Sequence, residues 1–458
     1  MKRVEEKEVK KRKKWPIVIM ILLLVGAVCF GAFAYLKFCI LPKQVEVKSI
    51  ESKYKDEKLN IVINLKKVIG FGKVYCAVSE VKTEEYDFKK SKNNKCSYNL
   101  DVKDYYIYIS NDNGNIKEYR LSDFINKLVS LKSPISELYL AVGESYKIDL
   151  DIISLDDQNL DLNYDFSDST VASINEGVIK GEKDGDTILN IHSGDVSLEI
   201  PVHVSDLISS AHIDNTKPYL PCKRYSSDEA KELDQFLLGK VESKGYGTRA
   251  GVVEAARFLS MQFPYRLNYF LENGRTTPSS MPAMADGEGR YYRQGLYLSE
   301  DKYDALKYIR RGPVMWGCPL VNLNEGDSRP NGLDCSGFVS WTIVNGGVDI
   351  GDYGSAGLSD DGSPDLTNRG GDKKWITKDL LTSGEVKAGD LASVPGHVAI
   401  IVGIDDNHVY IAEELFYSKG LNVLTFTYDE LVATDYFTHI VLMDNVYKND
   451  GIYSAMWN

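Results

Sequence analysis

The feature that most constrains this chain is a run of twenty residues without a charge, residues 17–36. Such a run can cross a bilayer as a single helix, because a helix satisfies its own backbone hydrogen bonds where water is absent. Residues 1–14 before it hold eight Lys or Arg against three Glu. Since basic flanks stay on the cytoplasmic side, the pattern predicts a cytoplasmic tail over 1–14 and a transmembrane helix over 15–37, with Trp15 and Tyr35 at the interfaces.

The rest of the chain is then expected outside the cell, in a protein that crosses the cell membrane once with its N-terminus in the cytoplasm. A cleaved signal peptide is the alternative, since Ala32-Phe33-Ala34 is similar to a cleavage site. The anchor is favoured because the apolar run is longer than the roughly 7–15 residues of a signal-peptide core. Cys29 follows Val28 rather than a small residue, which argues against a lipoprotein anchor.

The part of the chain after the apolar run is strongly acidic. The whole chain carries a net charge of −12, and removing the +5 of residues 1–14 leaves −17 on the remainder. This balance argues against nucleic acid as a partner. An acidic surface also repels anionic polymers, so affinity for one would need a specific groove rather than bulk charge. The length of 458 residues suggests about three domains.

Residues 44–130 alternate apolar and polar side chains in the manner of half-buried strands. The pattern is clear at 59–65, 73–78 and 105–110, and an Asn/Asp/Gly turn follows the last of these segments. Short strands separated by such turns predict a first all-β, Ig-like sandwich over 44–130.

Residues 134–205 form a second predicted all-β unit. Its strand-like segments lie at 138–148, 167–174, 177–181 and 185–191. These segments resemble a bacterial Ig-like domain of the BIG2 type, which implies a spacer or adhesive module rather than chemistry. The polar, Pro-containing residues 206–221 are predicted to be a linker, and two amphipathic helices are expected after it, beginning near Ser226 and Thr248.

A candidate nucleophile lies in residues 332–341, Gly-Leu-Asp-Cys-Ser-Gly-Phe-Val-Ser-Trp. Apolar residues at helical spacing predict a helix here, Asp334 is a good N-cap, and Gly346 and Gly347 provide the C-terminal stop. Cys335 is therefore placed at the positive end of the helix. Backbone N–H groups and the helix dipole there favour a thiolate over a thiol, which is the nucleophilic form.

A candidate base and a candidate carboxylate follow on two predicted strands. Pro395-Gly396 makes a turn, and His397 opens the apolar strand 398–402; a second strand at 409–413 ends in Glu413. Glu413 follows His397 by sixteen residues, an even number. In an antiparallel pair of strands the alternation of side chains could therefore place His397 and Glu413 on one face, depending on the turn. Glu414 remains an alternative third member. His408, expected in the hairpin turn, and His439, expected on a late strand over 438–443, are weaker candidates for the base.

Residues 334–338, 389–391 and 396–399 together resemble the two signature blocks of the NlpC/P60 superfamily of papain-like cell-wall cysteine peptidases. The resemblance implies a papain-like α+β catalytic domain over 222–447, followed by a tail over 448–458. It also implies peptidoglycan as the partner, hydrolysis through a Cys335 thioester, and no metal or other cofactor.

The same resemblance implies that Asp334, Ser336 and Trp316 lie at the oxyanion and substrate contacts. The chain departs from the superfamily at two positions. Many members carry a third His where this chain offers Glu413, a Cys-His-Glu pattern closer to the related CHAP amidases and peptidases. The Tyr that commonly precedes the Trp-Gly pair is replaced by Val314.

From Cys76 onward the chain has five cysteines, an odd number. In an oxidising compartment such a count is compatible with two bridges, Cys76–Cys96 and Cys222–Cys318, and one free thiol at Cys335. Disulfide pairing cannot be derived from the spacing of the cysteines, so the alternative that all five are reduced remains open. The acidic residues Asp360, Asp361 and Asp365 fit no EF-hand loop and are expected to be a solvated turn.

These patterns predict a multidomain protein: one transmembrane helix, two all-β Ig-like sandwiches and a C-terminal α+β papain-like domain. The expected function is a membrane-anchored extracellular cysteine hydrolase that cuts an amide bond in the peptidoglycan stem peptide. Two alternatives stay open, a CHAP-like N-acetylmuramoyl-L-alanine amidase and a non-catalytic wall-binding scaffold.

Overall fold

The computed structural model describes residues 15–35, 45–66, 73–111, 115–155, 160–269, 295–299, 315–321, 328–330, 332–349, 366–415 and 420–457. The predicted tail 1–14, Val314, and the turn containing Asp360, Asp361 and Asp365 lie outside these ranges. The chain divides into two compact units. Unit 1 comprises residues 1–132, 151–162 and 192–197, and unit 2 comprises 133–150, 163–191 and 198–458.

The N-terminal helix α1 spans Trp15–Tyr35. Its stretch Val18–Tyr35 has a mean hydropathy of 2.6, and none of that stretch is buried against the protein. A helix of this length and composition suits a membrane anchor or a signal sequence.

The first group of strands reproduces the alternating pattern of the sequence. It consists of β1 (Val47–Lys55), β2 (Lys58–Leu65), β3 (Val74–Ser79), β4 (Lys89–Lys90), β5 (Lys95–Leu100), β6 (Tyr106–Asn111), β7 (Ile116–Arg120) and β8 (Leu128–Lys132). One sheet has the order β1-β2-β5 and the other β4-β3-β6-β7. The two sheets share one apolar core, and the disulfide Cys76–Cys96 joins β3 of one to β5 of the other.

The second group of strands also forms two sheets. It consists of β9 (Leu138–Ala141), β10 (Ser145–Lys147), β11 (Asp151–Ser154), β12 (Asn163–Phe166), β13 (Ala172–Asn175), β14 (Val178–Gly181), β15 (Gly185–Ser193) and β16 (Val196–Ser205). The sheet orders are β12-β15-β16-β9 and β10-β14-β13, while β11 pairs with β8. Inward positions of β15 and β16 are buried, as the strand alternation requires.

The C-terminal part of unit 2 combines helices with a six-stranded sheet. Its elements are α2 (Ser227–Lys244), α3 (Arg249–Arg257), β17 (Asn268–Tyr269), β18 (Pro319–Val321), β19 (Ser328–Pro330), β20 (Gly332–Leu333), α4 (Cys335–Asn345), β21 (Asp372–Trp375), α5 (Lys378–Thr382), β22 (Leu391–Val394), β23 (His397–Ile404), β24 (His408–Leu415), β25 (Gly420–Thr427), α6 (Tyr428–Ala433) and β26 (His439–Leu442). The sheet order is β21-β26-β22-β23-β24-β25, and every paired neighbour in it is antiparallel.

Helices α3 and α4 both pack on this sheet, and they approach each other closely at the end of α4. A Cβ on Gly346 would lie 2.5 Å from Cα of Val252, so only glycine permits this approach. The disulfide Cys222–Cys318 lies in the same unit. His408, expected in the hairpin turn, instead begins β24, because its backbone N–H and Asp405 close the turn before it.

Two segments expected to be peripheral are packed against unit 2. In the predicted linker, Ile208 and Leu220 are buried and the N–H of Ser209 donates to the Gln262 carbonyl. In the predicted tail, the carbonyl of Ala455 accepts from the N–H of Ile404 at the end of β23. Apolar side chains and backbone bonds therefore make both segments part of the folded unit.

Candidate active site

Helix α4 begins at Cys335 because Asp334 caps it. Asp334 has an extended backbone, and its Oδ1 accepts from the N–H of Gly337 at 2.8 Å, satisfying one of the donors that a helix start leaves unpaired. Phe338 and Trp341 are fully buried and fix the inner face of the helix. Cys335 carries a free, partly buried thiol at the start of this rigid element.

The environment of the Cys335 thiol differs from the sequence-based expectation. Burial, and next the carboxylate of Asp334, raise the pKa of the thiol to about 12. Backbone hydrogen bonds from Val398, Ser336 and Cys335 itself lower the pKa, but by less. Desolvation thus outweighs the helix terminus, and the resting group is a protonated thiol at neutral pH.

A buried pair lies on the neighbouring strands β23 and β24. Nε2 of His397 lies 2.8 Å from Oε2 of Glu413, whose side chain has no exposed surface. A carboxylate only accepts hydrogen bonds, so Nε2 carries the proton and Nδ1 is left as the basic nitrogen. Nδ1 is buried and has no hydrogen-bond partner among the described residues.

Further side chains hold this pair. The Tyr436 hydroxyl donates to both carboxylate oxygens of Glu413, at 2.8 and 3.1 Å, and Nδ2 of Asn422 donates to Oε1 at 3.4 Å. The imidazole of His397 stacks on Phe437 with ring centroids 5.6 Å apart. Asn422 lies in β25, and Tyr436 and Phe437 lie in the segment before β26; they match no motif, so no pattern in the sequence predicts their place at this pair.

The Cys335 thiol lies beside the strand that begins at His397, and within the described residues no hydrogen bond joins it to the imidazole. The sulfur of Cys335 accepts from the backbone of Val398, the residue directly after His397, while Nδ1 of His397 has no partner among the residues that the structure describes. Catalytic hydrogen bonds are often long or misaligned before a substrate binds. The structure therefore places Cys335 beside the strand that carries His397, and His397 beside Glu413.

A β-bulge decides which glutamate meets His397. Ile400 and Ile401 pair with Ala412 and Ile411, but the next paired residue is Gly403, opposite Tyr410, so Val402 is skipped. Continued towards the start of β23, the pairing of Ile400 with Ala412 places Ala399 opposite Glu413. Side chains of alternate residues in a strand share a face, so His397 and Ala399 point to the same side. Glu413 is thus the diagonal neighbour of His397.

Glu414 lies on the other face of β24. Its carboxyl is buried and has no hydrogen-bond partner among the described residues. Burial, then the negative charge of Asp334, raises its pKa well above the usual range. Burial thus favours the protonated form of Glu414, which lies in the core and makes no bond to His397.

The other two candidate bases bind elsewhere. Nδ1 of His408 lies 3.1 Å from Asp405, and Nδ1 of His439 lies 2.9 Å from the hydroxyl of Thr438. Burial lowers the pKa of His439, so its ring is neutral at neutral pH.

The three residues expected at substrate contacts are packed inside. The indole of Trp316 lies in the core against Trp341 and Tyr297. Ser336 is buried, and its hydroxyl donates to Asp334 at 3.1 Å. Asp334 is also buried, and its carboxylate caps α4.

The motif at residues 389–391 has a structural role. Asp390 is fully buried and accepts from Nη1 of Arg249 at 2.7 Å, while the backbone N–H of Met443 donates to it at 2.9 Å. Arg249 also bonds Asp444 at 2.7 Å and Asp450 at 3.0 Å. Gly389 before it has φ +94°, a conformation that favours glycine. The Gly-Asp pair thus ties β22 to α3 and to the C-terminal segment.

No family model matches the chain, and no curated protein matches it. Domains 4 and 5 of the S-layer protein SbsC align with 36% of this chain and 98% of their own length, at 12% identity and a TM-score of 0.17. A chimeric titin Z1Z2 aligns with 36% of this chain and 99% of its own, at 9% identity and a TM-score of 0.13. The ectodomain (Ig1–Ig3) of mouse nectin-like molecule 4 aligns with 37% and 66%, at 9% identity and a TM-score of 0.16.

Structural similarity at these TM-scores gives no information about function. The resemblance to the NlpC/P60 superfamily therefore rests on the sequence motifs, and the chemistry rests on the site itself.

Proposed function

We propose that this protein is a membrane-tethered cysteine hydrolase that cleaves amide bonds in the stem peptide of peptidoglycan outside the cell. The observation that carries the proposal is the buried His397–Glu413 pair, 2.8 Å apart, beside the strand residue that contacts the Cys335 thiol; Nδ1 of His397 has no hydrogen-bond partner in the part of the chain that the structure describes. A nucleophile, a base and a group that orients the base are the parts that thiol hydrolysis requires.

The first half of the reaction forms a thioester. Because the thiol is protonated at rest, its proton moves to Nδ1 of His397 as the sulfur attacks the amide carbonyl, and a C–S bond forms. Backbone N–H groups at the start of α4 stabilise the negative oxygen of the tetrahedral intermediate. The C–N bond then breaks, and the proton passes from His397 to the leaving amine.

The second half consumes water. His397 accepts a proton from a water molecule, the hydroxyl oxygen bonds to the thioester carbon, and the C–S bond breaks to release a carboxylic acid. The proton returns to the sulfur, which restores the thiol. In both halves Glu413 stabilises the transient imidazolium, and Tyr436 holds the carboxylate in place; burial raises the pKa of Tyr436, so its hydroxyl stays a donor.

The substrate class follows from the sequence motifs. The superfamily that residues 334–338 and 396–399 resemble acts on the stem peptide, in which the proposed bond is a D,L-amide. A carboxylate in place of a third His keeps a CHAP-like amidase as the alternative reaction of the same three residues.

The test is digestion of purified peptidoglycan by the full-length protein in detergent, followed by mass spectrometry of the soluble fragments. New stem-peptide fragments are expected for an endopeptidase, and free stem peptides with intact glycans for an amidase. Cys335→Ala should abolish either product. Cys29→Ala is the matched control, because it removes the other free thiol that the structure describes, which lies in α1. Equal digestion by the Cys335→Ala variant would refute the proposal.

A non-catalytic wall-binding scaffold is the second candidate. The raised pKa of Cys335 favours it, since a buried thiol is also compatible with simple packing. Sedimentation with insoluble peptidoglycan separates the two: a scaffold binds peptidoglycan and releases no fragment, with or without Cys335.

A further inference from the structure

The catalytic pair depends on the bulge in β23, and one buried cation binds that bulge. Val402 is the residue without a partner in the register, and its carbonyl accepts from Nε of Arg257 at 2.8 Å. Arg257 is the last residue of α3 and is buried. Burial lowers its pKa to about 10, so the guanidinium stays charged at neutral pH.

The C-terminal segment completes the support of the bulge. Nη2 of Arg257 donates to the carbonyls of Ser454 and Ala455, at 3.0 and 3.2 Å. The carbonyl of Ala455 in turn accepts from the N–H of Ile404. A Cβ on Gly403 would lie 2.7 Å from the Trp457 ring, so the indole covers the bulge without a gap. A planar fork of donors thus joins the extra residue of β23 to a second backbone segment.

We infer that Arg257 is a positioning residue: by holding the Val402 bulge, it sets the register that puts Glu413 rather than Glu414 on the face of His397. At the hairpin end Gly403 pairs with Tyr410 and Ile404 with Val409. If Val402 were not bulged, this register would continue along both strands. Ala399 would then fall opposite Glu414, because a slip of one residue turns every side chain to the other face. The inference rests on the proposed function for the roles of His397 and Glu413, and on the strand register and the bonds of Arg257 for the rest.

The test is a double-mutant cycle in the full-length protein, read as the rate at which iodoacetamide alkylates Cys335, measured by peptide mass spectrometry at pH 8. Arg257→Lys keeps the charge but lacks the fork, and Glu413→Gln removes the partner of His397. Each is expected to slow alkylation roughly tenfold. If Arg257 acts through Glu413, the double variant should be no slower than the slower single variant, within about twofold.

Lys217→Gln is the matched control. Lys217 is another buried cation that donates to backbone carbonyls, those of Ser260, Met261 and Phe263, and none of its bonds reaches the bulge. Its removal should leave the alkylation rate within about twofold. If Arg257→Lys does not fold, Arg257→Gln in the full-length chain, which also lacks the fork of donors, takes its place in the cycle.

Independent effects that multiply to about a hundredfold in the double variant would overturn the inference. An unchanged rate in Arg257→Lys would do the same. The alkylation readout needs no substrate, so a wild-type protein that shows the coupling but digests no peptidoglycan would sustain the role of Arg257 and refute the proposed function.

Discussion

Replacing Glu413 by Gln is the sharpest test of the site, because it removes one charge and keeps the shape of the side chain. Glu413 is fully buried, and its Oε2 lies 2.8 Å from Nε2 of His397. Two unit charges about 4 Å apart attract by about 4 kcal/mol at an effective dielectric constant of about 20. Since the amide of Gln retains part of this as a dipole, we expect a loss of about 3 kcal/mol in imidazolium stabilisation.

A loss of about 3 kcal/mol in the transition state lowers the rate of peptidoglycan digestion roughly a hundredfold. The assay is release of soluble fragments under single-turnover conditions, which reports the chemical step. Because the imidazolium forms only as the thiol is deprotonated, kcat should fall while KM changes little.

The matched control is Glu414→Gln, a substitution at the next residue on the other face of β24. Burial raises the pKa of Glu414, and its carboxyl has no hydrogen-bond partner within the described ranges, so its replacement by an amide removes no partner of His397. Its activity should stay within about threefold of wild type. The reasoning is refuted if Glu413→Gln keeps most of its activity, or if Glu414→Gln loses as much.

Three further outcomes follow from the buried ionisable groups. Arg249→Met leaves the carboxylate of Asp390 unpaired inside the protein, and unfolding by urea should show a loss of about 3–5 kcal/mol. Alkylation of Cys335 should keep increasing with pH above 9, because the pKa of its thiol is about 12; a plateau near neutral pH would contradict the buried thiol. The raised pKa of Glu414 contributes stability that is fully present below its unfolded value near 4.5 and is lost as the pH rises towards the folded value. Glu414→Gln should therefore gain thermal stability relative to wild type between pH 5 and 8 in scanning calorimetry, and a difference that is constant over this interval would refute the burial argument.

Local patterns in the sequence were sufficient for much of the fold. The alternation at 59–65 corresponds to β2, the apolar run at 398–402 lies in β23, and the cap Asp334 places Cys335 as the first residue of α4. These features depend on neighbours within one turn or one strand, which is why the residues themselves predict them.

Other features depend on groups that are distant in the sequence. The thiol pKa could not be predicted, because desolvation by the surrounding core outweighs the helix terminus. Trp316 was expected at the substrate and lies in the core, since its position is set by packing on Trp341. Tyr436 and Asn422 reach Glu413 from strands that follow it, and no spacing predicts such contacts.

The sequence by itself determined which residues are available for the chemistry: a cysteine at a helix start, a histidine at a strand start and two adjacent glutamates. It left the choice between Glu413 and Glu414 open. Only the tertiary structure decided it, through one extra residue in β23 that Arg257 and the C-terminal segment bind from outside the hairpin. The physical reason is that strand alternation is local, whereas the register between two strands depends on every group that packs against them.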